Sequence, residues 1–356
     1  MVISEAKPNA GTMGELGEFG VIRRITAALR QPDSTLVGPG DDAAVVASTD
    51  GRTVASTDLL IENRHFRRDW STANDIGHKA AARNFADIAA MGARPTSLLV
   101  GLAAPAGTEV GWLDGLLAGL AEECAEVGAG IVGGDISAAD SIVLSLTALG
   151  DLDGRPPVLL SGARPGDLVA CAGRLGWAAA GYAVLSRGFR SPVQVVNAHR
   201  RPEPPYAEGP AAAELGATAM TDVSDGLVAD LGHLAEASGV RIDLRSEALQ
   251  PPTKLRDVAS ALNANPMSWV LGGGDDYALV ATFGNGTRLP APWQVIGLVG
   301  AGSGVRLDGL PAHEAGHEHF RSPVGAARRV PAPGHAERPV PPWGRNRPFD
   351  RAWCAD

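Results

Sequence analysis

The chain has 356 residues, of which 45% are hydrophobic, and its formal net charge is -9 at pH 7. This length predicts about two domains with sizeable cores, and the acidic balance argues against a general nucleic-acid or anionic-membrane binder, which needs a clustered positive field. No signal-peptide pattern opens the chain and no apolar run reaches membrane-spanning length, so we expect a cytoplasmic protein. Three widely separated cysteines favour reduced thiols over a disulfide framework or a zinc knuckle.

Hydrophobic periodicity predicts alternating helices and strands in the first half of the chain. One strand begins at Val54, and the helix after it is capped by Ser71 or Thr72, with Asp75 in capping-box spacing and Gly92 at the end. Helices are expected over 15–30, 72–91 and 112–127, and strands over 54–58, 96–104, 131–135 and 141–150.

A polar, proline-containing connection at 154–157 predicts a domain boundary. Beyond it we expect strands over 167–172, 240–244 and 278–282, helices over 177–186, 227–238 and 255–262, and a proline-rich link over 202–210. The last part of the chain lacks periodicity and is rich in Pro, Gly, Arg and Ala, which predicts a disordered tail. The expected organisation is an arm (1–12), two domains (13–154 and 155–322) and a tail (323–356).

A turn of glycine or other small residues with an aspartate recurs at the ends of apolar segments. The five instances are Gly40-Asp41-Asp42, Ser56-Thr57-Asp58, Gly133-Gly134-Asp135, Asp222-Val223-Ser224-Asp225-Gly226 and Gly274-Asp275-Asp276. One such aspartate is ordinarily a turn former or a helix cap. Five of them, in a chain with only three lysines and no P-loop motif, predict carboxylate-bound Mg²⁺ beside a phosphorylated ligand such as ATP.

The segment from Ser56 to Asp87 combines a strand-end carboxylate, Asp58, with a helix carboxylate, and we expect the two to converge. His65 lies in the connection between them and is interpreted either as part of a surface loop or as an anion contact. Asp75, Lys79 and Arg83 follow one another at spacings of four, which favours an exposed ion-pair ladder on the helix.

Two further motifs are weighed against their context. Residues 128–133 match GxGxxG, but a helix precedes them and a strand follows, which is the reverse of a dinucleotide-binding turn. Residues 313–317 match the zinc motif HExxH, but the nearby Pro311 and the internal Gly316 argue against the helix that such a site needs. We therefore prefer neither a dinucleotide-binding site nor a zinc site for these segments, and a zinc protease remains a distant alternative.

Eight motifs follow one another in a fixed order between residues 13 and 322. They are Leu16-Gly17-Glu18-Phe19, Gly40-Asp41-Asp42-Ala43, Ser56-Thr57-Asp58 with His65-Phe66, Asn84-Phe85-Ala86-Asp87-Ile88-Ala89-Ala90-Met91-Gly92-Ala93, Gly133-Gly134-Asp135, Ser161-Gly162-Ala163-Arg164-Pro165-Gly166-Asp167, Asp222-Val223-Ser224-Asp225-Gly226-Leu227 and Gly273-Gly274-Asp275-Asp276-Tyr277. The series resembles that of the thiamine-monophosphate kinases, within the aminoimidazole ribonucleotide synthetase-like superfamily.

The resemblance implies an α/β protein of the α+β type with two domains: an N-terminal mixed-sheet domain that pairs in a homodimer and a C-terminal α/β domain. It also implies phosphorylation of thiamine monophosphate by ATP through direct in-line transfer with several Mg²⁺ ions. The implied partners are therefore ATP and thiamine monophosphate, with no nucleic acid and no membrane.

The resemblance also assigns roles to residues by motif match. The implied magnesium ligands, direct or through water, are Asp42, Ser56, Thr57, Asp58, Asp87, Asp135, Asp222 and Asp225. Of these, Asp42, Asp58, Asp87 and Asp222 are the implied catalytic residues. Gly134, Asp135 and Ser224 would contact the nucleotide, and His65, Asp275 and His317 the thiamine phosphate.

Four positions depart from the family's pattern. Asp275 stands where a glutamate is usual, Leu160 where an arginine lies near ATP, Val127 where a tyrosine precedes the Gly-Gly-Asp strand, and His317 where an aromatic residue covers the thiamine. These changes leave the metal residues intact and bear on affinity and substrate identity. The alternatives are another ATP-dependent synthetase of the superfamily and a non-catalytic nucleotide-binding relative.

Overall fold

The computed structural model describes residues 11–39 and 43–312. Asp42, His317, the HExxH motif and the predicted tail lie outside these ranges. The strands are β1 Thr35–Val37, β2 Val45–Val46, β3 Val54–Ile61, β4 Arg94–Ala104, β5 Gly130–Ala138, β6 Val143–Asp151, β7 Leu168–Ala172, β8 Ala217–Asp222, β9 Arg241–Leu244, β10 Leu279–Phe283, β11 Gln294–Gly300, β12 Gly304–Leu307 and β13 Leu310–Pro311. The α-helices are α1 Met13–Ala28, α2 Ala73–Ala90, α3 Val110–Val127, α4 Trp177–Ser186, α5 Val193–Arg200, α6 Glu208–Glu214, α7 Leu227–Ser238, α8 Thr253–Leu262 and α9 Pro266–Gly272, and a 3₁₀ helix spans Ser246–Leu249.

The first half of the chain forms a four-stranded mixed sheet, called here the N-terminal sheet, in the order β3-β6-β4-β5. β4 pairs parallel with β5, and the other neighbours are antiparallel. Side chains alternate across β3, so that Leu60 is buried on the side of α2 whereas Leu59 is 53% exposed on the opposite, open face.

The second half forms a seven-stranded sheet, the C-terminal sheet, in the order β13-β12-β9-β11-β7-β10-β8. Only β9 and β12 pair parallel within it. β8 is therefore an edge strand, and its last residue, Asp222, pairs with Leu279 at the start of β10. This register places the loop after β8 beside the loop before β10.

Helix α2 joins the two sheets. It begins with the predicted capping box, in which the Thr72 hydroxyl accepts a hydrogen bond from the Asp75 N–H and the Asp75 carboxylate accepts one from the Thr72 N–H. Phe85 belongs to the core of the N-terminal half, while Ala89 packs in a second core with Met220 of the C-terminal sheet. Both sheets lie within one compact unit of the chain.

Most of the elements expected from periodicity are present, with ends shifted by a few residues. In the described ranges, the helices α5, α6 and α9 and the strands β1, β8, β11, β12 and β13 were missed. α6 lies partly in the stretch expected to be a proline-rich link, and a seven-residue helix is too short for periodicity to reveal. α9 did carry a readable signal, because Asn265 caps it and Pro266 occupies its first turn. The domain boundaries proposed from sequence stay predictions.

The segment that matches GxGxxG joins the end of a helix to the start of a strand, as expected, and so is not a dinucleotide-binding turn. Helix α3 ends at Val127, Gly128 adopts a left-handed conformation after it, and β5 begins at Gly130.

No helix in the described ranges has both the length and the apolar character needed to cross a bilayer.

Replacing Gly119 by alanine should destabilise the contact between α2 and α3. A Cβ atom at Gly119 would lie 2.1 Å from the carbonyl oxygen of Asn74, so the helices would have to separate. We expect Gly119→Ala to lower the free energy of unfolding by about 1–3 kcal/mol in urea titrations. Gly111→Ala is the matched control in the same helix, because its Cβ would meet nothing within 4 Å. Equal destabilisation by both variants would contradict this account.

Candidate active site

Strand β3 and helix α2 bring polar side chains together between the two sheets. Ser56 and Asp58 point from β3 towards α2, and the Ser56 hydroxyl donates a hydrogen bond of 2.6 Å to Oδ2 of Asp87. Nε of Arg83 donates a hydrogen bond of 3.1 Å to Oδ2 of Asp58. Burial, and then the charge of Asp58, raise the pKa of Asp87 to about 6, against the lowering effects of Ser56 and Arg83. The expected convergence of Asp58 and Asp87 is present.

A third carboxylate, Asp222, reaches the same place from the end of β8. It is 8% exposed, and its Oδ2 is buried without a hydrogen-bond partner in the described part of the chain. Burial raises its pKa well above the usual range, and the charges of Asp87, Asp230 and Asp58 raise it further. Asp58, Asp87 and Asp222 are called here the carboxylate cluster.

The carboxylate cluster has the donor chemistry of a magnesium site. Mg²⁺ takes oxygen ligands, and an unpaired buried carboxylate oxygen with acidic neighbours is stabilised by a cation. Within residues 11–39 and 43–312, no three His, Cys, Asp or Glu side chains stand close enough to hold a metal ion as arranged. Binding of a metal ion therefore requires the side chains of the carboxylate cluster to reorient.

Two loops at the ends of β8 and β10 extend the site. The N–H groups of Asp275 and Tyr277 donate to the carbonyl oxygens of Ser224 and Val223, at 2.9 and 3.0 Å. Gly274 permits this contact, because a Cβ atom there would lie 2.1 Å from the Ser224 oxygen. Ser224 and its neighbour Asp225 are consequently held beside Asp275.

The Asp275 side chain is already occupied by hydrogen bonds. Its Oδ2 accepts from Nζ of Lys79 at 2.8 Å and its Oδ1 from the Tyr277 hydroxyl at 2.9 Å. Burial opposes its ionisation, but the charges of Lys79, Arg83 and His199 hold its pKa well below the usual range. Asp275 and Tyr277 both have positive φ, at 65° and 52°, a costly conformation for these residue types that the surrounding contacts maintain.

The expected exposed ladder on α2 is wrong. Asp75 and Lys79 are buried, and the Arg83 side chain is only 12% exposed. Each pairs with a different element, since Arg201 binds Asp75, Asp275 binds Lys79 and Asp58 binds Arg83. Helical spacing predicts which side chains share a face, but it does not tell what covers that face.

Comparisons with known proteins agree with this arrangement. The family model for the N-terminal domain of AIR synthase related proteins matches residues 40–152, and the model for the C-terminal domain matches residues 164–308. The chain is 53% identical over 289 residues to the thiamine-monophosphate kinase of Mycobacterium tuberculosis, covering 81% of this chain and 86% of that one. It belongs to the thiamine-monophosphate kinase family. A second relative, the thiamine-monophosphate kinase of Corynebacterium glutamicum, is 44% identical over 297 residues, covering 81% and 87%.

Solved structures of thiamine-monophosphate kinases share the fold. The enzyme from Aquifex aeolicus superposes with a TM-score of 0.69 at 32% identity, covering 73% of this chain and 89% of that one. The structure of AaThiL complexed with AMPPCP and TMP superposes with a TM-score of 0.72 at 31% identity, covering 86% and 98%. The two-domain mixed α/β architecture implied by the resemblance is confirmed.

Not every residue implied by the kinase motifs lies in the carboxylate cluster. The Thr57 side chain lies on the open face of the N-terminal sheet, where its hydroxyl donates to the Leu146 carbonyl at 2.8 Å. Asp135 is exposed on β5 and, by register through Gly101 and Ser145, shares that open face. β3 and β5 are opposite edges of the sheet, three strand spacings or about 14 Å apart. Asp58 and Asp135 of one chain therefore cannot share one ion.

A cavity of about 900 Å³ lies beside β5 and contains Gly134 and Asp135 in its lining. Apolar side chains of α1, including Phe19, Ile22 and Ile25, form another part of the wall. In a thiamine-monophosphate kinase, an apolar cavity edged by glycine and one carboxylate suits the base of a nucleotide.

Asp276 and His65 have defined structural contacts. Asp276 is buried and accepts hydrogen bonds from the N–H groups of Gly176 and Ala178 at the start of α4, so it is a helix-capping residue. Nδ1 of His65 accepts a hydrogen bond of 2.9 Å from the Ile61 N–H, which fixes the turn after β3. The buried Arg83 and Lys79 were missed as site residues, and their spacing of four before Asp87 was the available signal.

His199 should make the stability of the protein depend on pH. It is buried near Trp70 and Tyr182, and burial, reinforced by the charge of Lys79 and opposed by Asp275, lowers its pKa to about 3. Because the folded pKa lies below the unfolded value, this stabilisation is complete above pH ~6.5 and is lost as the pH falls. Between pH 7 and 5 the wild-type free energy of unfolding should fall about 2 kcal/mol more than that of His199→Gln.

The free energies of unfolding of wild type and of His199→Gln are measured in urea titrations at the two pH values. A His199→Gln variant with the same pH dependence as wild type would show that His199 titrates normally in the folded protein.

Proposed function

We propose that this chain transfers the γ-phosphoryl group of ATP to the phosphate of thiamine monophosphate, giving thiamine diphosphate and ADP. The observation that carries the proposal is the carboxylate cluster, buried where β3, α2 and β8 meet. Relatives named thiamine-monophosphate kinase, at 53% and 44% identity, support it, as does a similar structure with AMPPCP, a non-transferable ATP analogue, and TMP.

The reaction needs positioning and charge neutralisation more than acid–base catalysis. An oxygen of the thiamine phosphate forms a bond to the γ-phosphorus, and the bond from that phosphorus to the β–γ bridging oxygen breaks, releasing ADP. The acceptor is already anionic, so no general base has to remove a proton. What the site must overcome is the repulsion between two phosphorylated substrates.

We assign the magnesium-binding role to the side chains that motif and geometry both place near the reaction. Asp58, Asp87 and Asp222 would be its centre, with Ser56 and Asp225 around them. Asp42, which lies outside the described residues, is assigned by its motif alone. Bound Mg²⁺ would neutralise phosphate charge and orient the two phosphates. Asp135, Thr57 and Gly134 would serve the nucleotide from the other face of the sheet, with Ser224 beside the carboxylate cluster.

The acceptor would bind on the side of Asp275 and His65, with His317 as a further contact. Asp275 is one methylene shorter than the family's glutamate and is held by Lys79 and Tyr277. It would therefore shape the acceptor pocket through a fixed, already paired carboxylate.

The protein is proposed to act in the cytoplasm. Two observations favour this location: the thiols of Cys124 and Cys171 are free and buried, and the proposed reaction uses ATP.

We also propose that the chain forms a homodimer through the open face of the N-terminal sheet. Leu59 is exposed there, and Phe19, Leu36 and Val45 are large apolar side chains that are exposed in the same half of the chain. An exposed apolar surface of this kind is typical of protein–protein contacts.

A charge at Leu59 should separate the dimer. Leu59→Glu places a carboxylate on the open face without touching the core, since Leu59 is 53% exposed. We expect wild type to sediment as a dimer at micromolar concentration and Leu59→Glu as a monomer. Val193→Glu, at a 61% exposed position at the start of α5, should remain dimeric. A monomeric wild type, or a dimeric Leu59→Glu, would contradict the proposed interface.

The proposed reaction is tested directly with purified protein. Incubation with Mg²⁺, ATP and thiamine monophosphate should give thiamine diphosphate and ADP in equal amounts, measured by chromatography. Removal of Mg²⁺ with EDTA should abolish turnover, and excess Mg²⁺ should restore it. Asp58→Asn should lower kcat by at least about 100-fold because one carboxylate of the charge-compensating centre is lost.

The exposed carboxylate Asp140 provides the control for this variant. Asp140→Asn should keep wild-type turnover, and both variants should unfold cooperatively near the wild-type temperature. The proposal is abandoned if wild type yields no thiamine diphosphate across a wide range of enzyme concentration. Wild-type turnover in Asp58→Asn would move the reaction away from the carboxylate cluster.

A further inference from the structure

Arg83 occupies the boundary between the carboxylate cluster and the predicted acceptor residues. It lies on α2 one turn after Lys79 and one turn before Asp87. Its Nε is bonded to Asp58, and its guanidinium carbon lies 5.9 Å from the centroid of the Tyr277 ring. Tyr277 in turn is bonded to Asp275. The guanidinium thus stands between the two groups of residues.

The terminal nitrogens of Arg83 are available for a ligand. Nε donates to Asp58, whereas Nη1 and Nη2 make no hydrogen bond to any residue in the described ranges. The side chain is only 12% exposed, yet Nη1 and Nη2 are not among the fully buried unpaired atoms of the described residues, so both keep some access to solvent. Buried donors are normally paired, and a planar guanidinium fork with one edge free matches two oxygens of a phosphate.

Lys79, the neighbouring cation on α2, is already hydrogen-bonded through its ammonium group. Nζ of Lys79 is bonded to Asp275 and to the carbonyl oxygen of His199, at 2.8 and 3.4 Å, and Lys79 is 3% exposed. Its charge is therefore committed to holding the loop before β10. Arg83 is held through one nitrogen alone, and the bond to Asp58 orients the rest of the group.

We propose that Arg83 binds the phosphate of thiamine monophosphate through Nη1 and Nη2 and so makes the site selective for the phosphorylated acceptor. The proposal rests on the proposed kinase function. Asp58, Asp87 and Asp222 repel an incoming phosphate, and a fixed cation at their edge compensates that repulsion on the acceptor side. Thiamine without a phosphate gains nothing from this contact, so Arg83 contributes to the difference in affinity between the two compounds.

The test measures binding of thiamine monophosphate and of thiamine, each by calorimetry, to protein loaded with Mg²⁺ and AMPPCP. Wild type should bind thiamine monophosphate more tightly than thiamine. Arg83→Gln should weaken binding of thiamine monophosphate by about tenfold or more while leaving thiamine within about twofold, since only the phosphate contact is lost. Arg83→Lys should fall between them, because an ammonium keeps the charge but not the fork.

Kinetics and a control variant separate this role from a structural one. Arg83→Gln should raise the KM for thiamine monophosphate about tenfold and leave the KM for ATP within about twofold. The control is Arg256→Gln, which replaces an exposed arginine on α8 whose side chain is hydrogen-bonded to Thr253, and this variant should match wild type in every measurement. Thermal unfolding of each variant establishes that it is folded.

Several outcomes would overturn the assignment. Equal loss of affinity for thiamine, thiamine monophosphate and AMPPCP in Arg83→Gln would indicate that Arg83 only supports the cleft. Unchanged or tighter binding of thiamine monophosphate in this variant would mean that Arg83 does not contact the phosphate. If wild type phosphorylates thiamine monophosphate and Arg83→Gln binds and converts it equally well, the kinase function is retained but Arg83 does not bind the phosphate. A wild type that neither binds nor converts thiamine monophosphate contradicts both proposals.

Discussion

Burial of like-charged carboxylates against one another is the constraint on which the rest of the site depends. Asp58, Asp87 and Asp222 come from a strand, a helix and a strand of the other sheet, and Asp222 keeps a carboxylate oxygen without a partner in the described residues. In the absence of a cation, such burial raises the pKa of Asp87 and of Asp222 and costs stability. A bound cation would offset this cost, so the site is suited to binding cations together with phosphates.

Helix α2 is the element that makes this burial possible. The close approach of Gly119 on α3 fixes one side of it, and Ala89 and Ala90 pack it against the C-terminal sheet on the other. The same helix then presents Lys79, Arg83 and Asp87 in successive turns to the loops of both halves. This single helix therefore sets the distance between the carboxylate cluster and the predicted acceptor residues.

The loop from Gly273 to Tyr277 is held with unusual firmness for a loop. Backbone hydrogen bonds tie it to the loop after β8, and the Asp275 side chain is paired with Lys79 and with Tyr277. Positive φ values at Asp275 and Tyr277 are maintained by these contacts. The Asp275 carboxylate is therefore fixed and already paired, whereas Arg83 has terminal nitrogens without a partner among the described residues.

The sequence by itself determined the elements and their local signals. Periodicity and the Thr72–Asp75 capping box depend on residues a few positions apart, so their prediction succeeded, as did the family and the convergence of Asp58 with Asp87. Two of the expected turns are not turns, because residues 56–58 and 133–135 lie inside β3 and β5. Only the tertiary structure decided what covers α2 and which residues meet across it. Lys79 and Asp275 are 196 residues apart in the chain, and Arg83 and Asp58 are 25 apart on different elements. Spacing of four could not distinguish an exposed ladder from a buried face, nor reveal that Asp135 lies at the opposite edge of the sheet, because burial and strand order are set by contacts between distant segments.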